Sequence, residues 1–345
     1  MSDKTEWYDY RAIDSRNAII SIVSGPRSIG KTYGAKLRGI KEAVQAGKQT
    51  MWVRRTKTEL TPAKSGFFDS VAGAYPGFDF KTDGDTGLMR LEGGLWKPAI
   101  RFVSLSTAYQ HKGTEFPEVE RIVYDECFAE PRSMSDPASG YLPDEIEKLR
   151  SLLVTVNRSR VRANGRLRVK VLLLGNALRL DNPYFLEWGF DGEHEWQKGR
   201  DTGGDVVLHL VDSSRYERRV GESIYGRVLG TRAIDYAMGD YFLPDGGYVI
   251  EQRPPDSRPF ATLVTMRGDF GLWRDPHYER MYVTPGALSS KDSPVVAFEP
   301  MAVRPGVALA EGSTYWRKEA RRHYRRGSMF FVTQGAMLAR QALAR

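Results

Sequence analysis

The stretch AIISIVSGPRSIGKT, residues 18–32, decides the fold of the first half of the chain. Its apolar start, residues 18–23, predicts a buried strand, and GPRSIGKT directly after it matches the pattern G-x-x-x-x-G-K-[ST]. A helix-like run begins at Lys31. Strand, glycine-rich loop and helix in this order predict a P-loop, whose backbone N–H groups turn inward to hold phosphate oxygens. The alternative is a glycine-rich turn before an ordinary helix, but average composition gives a chance match to the motif only about once in a hundred chains of this length.

A P-loop gives specific roles to the residues at its end. Lys31 is expected to reach the β and γ phosphates of ATP, and the Thr32 hydroxyl is expected to bind Mg²⁺. The remaining predicted nucleotide-binding residues of the loop are Gly25, Pro26, Arg27, Ser28, Ile29 and Gly30.

A second motif, RIVYDE at residues 121–126, is an apolar strand that ends in two carboxylates. Such a strand is common on its own, but after a P-loop it is typical of a Walker B element. Asp125 is then expected to hold Mg²⁺ through water, and Glu126 to act as the base that prepares the attacking water. The pair therefore predicts ATP hydrolysis and not only ATP binding.

Other polar residues follow predicted strands and have two interpretations each. Asn176, after VKVLLLG, is either a sensor of the γ-phosphate or a turn residue. Arg158 and Arg160 belong to an arginine cluster at 158–166 that either presents a finger to the γ-phosphate of a neighbouring subunit or faces DNA. Arg54, Arg55 and Lys57, at the end of the second strand, either reach phosphates or line a surface.

Length and composition set the limits of the assignment. A chain of 345 residues predicts two domains, and its formal net charge of +8 suits a polyanionic partner such as nucleic acid. One cysteine excludes an internal disulfide and fits a reducing cytoplasm, and five histidines without ligand spacing predict no zinc site. The sequence has no uninterrupted run of ~18 apolar residues, so we expect no membrane-spanning helix.

The alternation of apolar strands and amphipathic segments predicts an α/β fold. We expect a P-loop NTPase domain of the ASCE type, with a mostly parallel sheet and a catalytic glutamate, over residues 1–190. The polar, glycine-rich stretch after it predicts a linker at 191–230, and a small α/β domain follows at 231–345. Within the first domain, residues 88–106 predict an antiparallel hairpin, and residues 143–156 predict a helix.

The motifs GPRSIGKT, VRRTKTEL, YDE, TVNRSR, LLLGNA and NPYFL, in this order, resemble the phi-29-like podovirus DNA encapsidation ATPases, which are related to the large terminases. The similarity is dense over residues 19–186 and thinner beyond. It implies an ATP-driven motor that moves double-stranded DNA into a preformed capsid. The implied partners are the capsid portal or connector and a structural RNA. The resemblance also implies a homo-oligomeric ring, with a pentamer suggested. The implied location is the host cytoplasm, at the portal vertex of the assembling capsid.

The resemblance also implies roles for individual residues. The P-loop lysine of the family falls on Lys31, its Walker B pair on Asp125 and Glu126, and its trans-acting arginine on Arg158. Lys57 falls on a lysine near the phosphates, and Arg54 matches a family arginine. Asn157 stands where the family has an aromatic residue before the arginine, so Arg160 is a second candidate for the finger.

The same resemblance implies a degenerate RNase H-like nuclease fold for the C-terminal domain, without DNA cleavage. Three other functions are compatible with the motifs: an active terminase nuclease, a helicase, and a nucleotide-gated DNA-binding assembly protein. An active nuclease needs several carboxylates that converge on two metal ions. The acidic residues available in this half include Asp240, Asp245, Glu251, Asp269 and Asp275.

Overall fold

The computed structural model describes residues 7–27, 29–129, 140–158, 169–176, 182–190, 194–211, 251–277, 279–289, 293–312, 314–325, 328–339 and 342–343. The chain divides into two compact units, each with its own sheet and its own hydrophobic core. Among the residues that the structure describes, no helix combines the length and the apolar composition that crossing a membrane requires.

The first unit is built on a nine-stranded sheet, ordered β3-β4-β5-β2-β6-β7-β1-β9-β8. The strands are β1 (Ile20–Ser24), β2 (Gln49–Arg54), β3 (Phe78–Asp83), β4 (Thr86–Leu91), β5 (Lys97–Ser104), β6 (Val119–Asp125), β7 (Lys170–Gly175), β8 (Trp196–Lys198) and β9 (Val206–Leu210). The six central strands, from β5 to β9, run parallel, and the hairpin β3–β4 and strand β8 add antiparallel edges. Strand β7 separates the P-loop strand β1 from β6, as in the ASCE class.

The helices described in this unit are α1 (Arg11–Asp14), α2 (Lys31–Ala46), α3 (Lys57–Ser65) and α4 (Glu145–Asn157). Helix α2 ends before Gly47, whose left-handed φ of 63° lets the Gly47 N–H donate to the Ala43 carbonyl and the Lys48 N–H donate to the Glu42 carbonyl. Helix α3 begins with a capping box in which Thr56 and Glu59 satisfy each other's backbone N–H groups. The central strands β1, β2, β6 and β7 of this unit are mostly buried, as expected for parallel strands in the interior of an α/β sheet.

Parallel pairing brings the strand ends that carry the motifs to one edge of the sheet. Ser24 at the end of β1 is opposite Gly175 at the end of β7, and Asp125 of β6 is opposite Leu174 of β7. On the other side of β6, Val53 of β2 is opposite Tyr124. The residues after these ends therefore meet at the carboxyl edge, where ligands of open α/β sheets bind.

The second unit contains a six-stranded sheet, ordered β14-β13-β10-β11-β12-β15, with helices α5 (Pro183–Trp188) and α6 (Tyr315–Arg325). Its strands are β10 (Arg258–Thr265), β11 (Gly268–Arg274), β12 (Met281–Pro285), β13 (Val295–Ala297), β14 (Ala308–Leu309) and β15 (Met329–Phe331). Strands β10, β11 and β12 form an antiparallel meander, and β13 and β14 continue it in parallel from β10. Arg274 of β11 fixes α6 through the Tyr315 hydroxyl and the Glu319 carboxylate, both at 2.9 Å.

The α/β class with a mostly parallel first sheet is confirmed, and so are the hairpin (β4–β5) and the helix α4. The structure differs from the predicted boundaries in two places. Strands β8 and β9 lie within the predicted linker at 191–230, yet they extend the first sheet because Val206, Val207 and Leu208 bury their side chains there. Helix α5, inside the predicted 1–190 domain, belongs to the second unit, where Glu187 pairs with Arg267 at 2.6 Å.

Candidate active site

The P-loop sequence forms the connection between β1 and α2. Gly30, the residue before α2, has a left-handed φ of 84°, which favours glycine. Gly25 donates its N–H to the Gly175 carbonyl at 3.2 Å, so the loop is tied to the end of β7. Ile29 and Pro26 are buried and Arg27 is exposed. Ser28 lies outside the described residues. The loop therefore has the strand and helix on either side that its predicted role requires.

Lys31 is the first residue of α2, and its side chain reaches back to the loop. Its ammonium donates to the carbonyls of Gly25 at 2.7 Å and of Pro26 at 2.5 Å. Burial lowers the pKa of Lys31 to about 8, and the Asp125 carboxylate opposes this shift. The ammonium is thus held by neutral carbonyls in a desolvated place, where an anionic phosphate oxygen is a stronger partner.

The lowered pKa predicts a pH dependence of ATP binding. Phosphate binding needs the charged form of Lys31. Above the pKa of Lys31 its amine is mostly neutral, so it must take up a proton when ATP binds. ATP affinity is expected to fall between about pH 8 and pH 9.5, with uptake of up to one proton per ATP. Calorimetry in buffers of different ionisation enthalpy measures this proton. Lys31→Arg stays charged and is expected to abolish the pH dependence; an unchanged dependence in this variant contradicts the assignment.

Thr32 and Asp125 meet although 93 positions separate them in sequence. The Thr32 hydroxyl donates to the Asp125 carboxylate at 2.8 Å. Burial raises the pKa of Asp125, and the nearby Arg54 guanidinium and the Thr32 bond oppose the rise. A hydroxyl and a carboxylate side by side are the hard oxygen donors that Mg²⁺ prefers, so this pair fits the predicted metal role.

Arg54 joins the two Walker B carboxylates. One guanidinium nitrogen lies 3.1 Å from Asp125 and the other 2.7 Å from Glu126. The Glu126 side chain is 73% exposed, whereas that of Arg54 is 15% exposed. Glu126 also has a left-handed φ of 58°, a backbone conformation that is strained for a side chain of this kind and is found at functional sites. The turn places this carboxylate in solvent, where water reaches it.

Asn176 follows β7 directly, and its side-chain nitrogen is buried with no hydrogen-bond partner in the described part of the chain. The Nε atom of Arg54 is also buried without a hydrogen-bond partner among the described residues. A buried donor without a partner is costly in a folded protein, and such donors often belong to ligand sites. This observation favours the sensor interpretation of Asn176 over the turn interpretation.

Two predicted residues have no described contact with this cluster. Lys57 is exposed at the first position of α3. Arg158 is exposed at the carboxyl end of α4, where its N–H bonds to the Thr155 carbonyl at 3.3 Å. Arg160 and the rest of the arginine cluster lie outside the described residues. The roles of all these site residues stay predictions. The residues that the structure brings together in one cluster are Lys31, Thr32, Arg54, Asp125 and Glu126.

Arg55, predicted from the sequence to reach phosphates or line a surface, instead forms a buried ion pair behind the site. Arg55, one residue after Arg54, binds Glu145 of α4 at 2.8 Å, and their side chains are only 5% and 1% exposed. Arg55 also donates to the Cys127 carbonyl at 2.6 Å, and Tyr124 donates to the Glu145 carboxylate at 2.8 Å. The pair therefore ties the backbone after Glu126 to the first residue of α4. The double arginine of VRRTKTEL was the signal, but nothing in it identified the partner.

Removing one member of this pair is expected to destabilise the first unit strongly. Glu145→Leu leaves the Arg55 guanidinium buried without its carboxylate, which costs about 3–5 kcal/mol. The double variant Arg55→Met/Glu145→Leu replaces both charges with apolar groups and is expected to recover most of that loss. Chemical denaturation of the three proteins measures the difference. Equal stability of the single and double variants contradicts a coupled ion pair.

The acidic residues of the second unit do not form a comparable site. Glu251 pairs with Arg280 at 3.0 Å, Asp269 pairs with Arg304 at 2.5 Å, and Asp275 accepts the Glu279 N–H at 2.8 Å. Asp240 and Asp245 lie outside the described residues. Within the described ranges, no three His, Cys, Asp or Glu side chains are arranged to hold a metal ion.

Known proteins match the whole of this architecture. A family model for the podovirus DNA encapsidation protein (Gp16) matches residues 2–301. The DNA packaging proteins of Bacillus phages PZA and phi29 are each 30% identical to this chain over 282 residues, which is 81% of this chain and 79% of theirs. In the bacteriophage phi-29 viral genome packaging motor assembly, one chain superimposes with a TM-score of 0.71 at 26% identity, with 99% of both chains covered. The crystal structure of the N-terminal domain of the phi29 DNA packaging ATPase matches 60% of this chain, at 29% identity and a TM-score of 0.50.

Proposed function

The chain belongs to the podovirus DNA encapsidation protein family, and on this basis we propose that it is an ATPase that translocates double-stranded viral DNA into a preformed capsid. The observation that carries the proposal is the cluster of Lys31, Thr32, Arg54, Asp125 and Glu126 at one edge of a parallel sheet. It supplies a cation for phosphates, oxygen donors for a metal and an exposed base.

The chemistry assigned to the protein follows from these groups. Lys31 binds and neutralises phosphate oxygens, and Thr32 with Asp125 holds Mg²⁺, which supplies charge neutralisation when it is bound. Glu126 accepts the proton of the attacking water. Arg54 positions Glu126 and Asp125 relative to each other. Asn176 donates its amide N–H, which has no partner in the described part of the chain, to the γ-phosphate.

We also propose a ring of identical subunits at a capsid portal, with a pentamer and a structural RNA as the finer proposals. The match to a chain of the bacteriophage phi-29 viral genome packaging motor assembly supports an oligomeric assembly. The test is ATP turnover with and without duplex DNA, with ring formation followed by light scattering. DNA-stimulated turnover in rings is expected. An ATP hydrolysis rate that is the same with and without duplex DNA indicates the nucleotide-gated DNA-binding assembly protein instead. Separation of the strands of a forked duplex indicates a helicase.

The second unit supports a nuclease-like fold that does not cleave. Its strand order, an antiparallel meander β10–β11–β12 with β13 and β14 in parallel beside β10, is that of an RNase H-like sheet. Neither β10 nor β13, the adjacent central strands of such a sheet, contains an acidic residue. Metal-dependent cutting of plasmid DNA by the purified protein contradicts this proposal.

Duplex DNA binding is expected to be electrostatic and without sequence preference. Contacts to phosphates release counterions and read no bases, so affinity is expected to fall at least about 10²-fold between about 50 and 200 mM salt. Fluorescence anisotropy with two unrelated duplexes of equal length measures both properties. Binding that is insensitive to salt, or that discriminates between the duplexes, contradicts the expectation.

A further inference from the structure

A buried guanidinium holds the backbone of the turn that follows β6, residues 126–127. The carbonyls of Glu126 and Cys127 both accept hydrogen bonds from the Arg55 side chain, at 3.4 Å and 2.6 Å. The Cys127 N–H donates to the Leu174 carbonyl of β7 at 2.9 Å. Strands β2 and β7 are the two neighbours of β6, and Arg55 directly follows β2. The turn is therefore fixed from both neighbouring strands.

This hold matters because the Glu126 backbone is strained. A residue other than glycine keeps a left-handed φ of 58° only when the surrounding structure imposes it. The ion pair between Glu126 and Arg54 is open to solvent on the glutamate side, and exposed ion pairs are weak. The Arg55 side chain is only 5% exposed, and a charge-assisted hydrogen bond to a buried carbonyl is stronger. Arg55 is thus better placed than Arg54 to fix the turn.

The guanidinium of Arg55 is itself held in one place. Its Nε atom donates to one oxygen of Glu145 at 2.8 Å, and a second nitrogen lies 3.3 Å from the other oxygen. The same carboxylate accepts the Tyr124 hydroxyl at 2.8 Å and the Leu142 N–H at 2.9 Å. The carboxylate therefore cannot move with the guanidinium without breaking further bonds, and the donor that reaches the turn has a defined position.

We propose that Arg55 is a positioning residue for ATP hydrolysis, which holds the Glu126 turn so that its carboxylate faces the attacking water. This inference rests on the proposed function, because it requires Glu126 to be the base. Arg54 and Arg55 then hold the same residue at two places, the carboxylate and the backbone. A displacement of about 1 Å at a reacting group can cost on the order of 10²-fold in rate. Loss of the Arg55 hold is therefore expected to slow hydrolysis and to leave phosphate binding by the P-loop intact.

The double variant Arg55→Met/Glu145→Leu separates positioning from stability. It is expected to keep most of the wild-type stability, because both charges leave the interior together. It has no donor for the carbonyls of the turn. Single-turnover hydrolysis is expected to fall at least about tenfold, with ATP affinity within about threefold of the wild type. Unchanged hydrolysis in this variant overturns the positioning role.

A matched control removes another Arg–Glu pair from the same sheet. Arg121 of β6 binds Glu42 of α2 at 2.8 Å, near the end of β6 that lies away from Glu126. Arg121→Met/Glu42→Leu is expected to leave the hydrolysis rate within about twofold of the wild type. A loss as large as that of the Arg55 variant would mean that any such change in this sheet slows hydrolysis, and it would overturn the inference.

A second measurement asks whether Arg55 acts through Glu126. In Glu126→Gln the proton acceptor is already absent, so its exact placement matters little. Adding Arg55→Met/Glu145→Leu to that background is expected to slow single-turnover hydrolysis by less than about threefold, against at least about tenfold in the wild-type background. Equal losses in the two backgrounds show that Arg55 only supports the fold, and they overturn the inference.

Arg55→Lys keeps the test decisive if the double variant does not fold. Its charge stays beside Glu145, but a lysine ammonium does not reproduce the planar fork that reaches the carboxylate and the carbonyls together. It is expected to fold and to hydrolyse ATP more slowly than the wild type, again only where Glu126 is intact. A wild-type rate in Arg55→Lys, or an equal loss in the Glu126→Gln background, overturns the positioning role.

The outcomes distinguish this inference from the proposed function. Normal hydrolysis by the Arg55 variants, together with an inactive Glu126→Gln, overturns the positioning role alone and leaves Glu126 as the base. Normal hydrolysis by Glu126→Gln overturns both, because Arg55 then has no base to position.

Discussion

Glu126→Gln is expected to lower the rate of ATP hydrolysis by about 10³-fold, with ATP affinity close to that of the wild type. The amide has the size of the carboxylate and still accepts a hydrogen bond from Arg54, 2.7 Å away in the present structure. It cannot accept a proton from the attacking water. Nucleotide is therefore retained and hydrolysis stalls. Single-turnover hydrolysis and equilibrium binding of ATP measure the two effects separately.

Two comparisons make this result specific. Glu120→Gln makes the same chemical change near the other end of β6, where Glu120 lies 3.8 Å from Lys48, and is expected to leave turnover within about twofold of the wild type. Lys31→Ala is expected to abolish turnover by a different route, because the phosphates lose their buried cation. Normal turnover by Glu126→Gln would make the catalytic assignment wrong.

Arg158→Ala is expected to bind ATP but to hydrolyse it about 10³-fold more slowly or worse, in line with the 10³ to 10⁵ range for arginine fingers. Arg158 is exposed at the carboxyl end of α4 and has no described contact with the P-loop or with Glu126 of its own chain. An arginine in that position is available to a neighbouring subunit. There it is expected to add positive charge as the γ-phosphoryl group departs.

The neighbour's role is tested with mixed rings. Arg158→Ala subunits keep an intact P-loop, and Lys31→Ala subunits keep an intact arginine. Mixing the two is expected to restore turnover at interfaces where intact P-loop and intact arginine meet, whereas action within one chain predicts no recovery. Arg150→Ala, an exposed arginine on the same helix, is the matched control and is expected to have little effect.

The same mixture with Arg160→Ala decides which arginine crosses the boundary. If mixing Arg160→Ala with Lys31→Ala subunits restores ATP turnover, and Arg158→Ala alone hydrolyses ATP normally, then Arg160 and not Arg158 is the trans-acting arginine. Mixed rings that form but recover no turnover with either variant would assign the cluster to DNA contact.

The sequence alone determined the P-loop, the Walker B strand, the α/β class of the first unit and the family. These features are local: a phosphate-binding loop needs glycines, a lysine and a hydroxyl residue within eight consecutive positions, and a buried parallel strand is a continuous apolar run. Because parallel strands end at one edge, it was also predictable that Thr32 and Asp125 would meet.

Only the tertiary structure decided which distant charges and rings pair around that core. Arg55 and Glu145 are 90 positions apart, and either charge by itself looks like a surface residue in the sequence. The contact of the Trp7 ring with Gly30 is formed only in the folded chain, and β9 joins the first sheet by pairing with β1, with β8 added at the edge by pairing with β9. The physical reason is common to all three: burial and pairing depend on which surfaces the folded chain brings together, and neither spacing nor composition encodes that proximity.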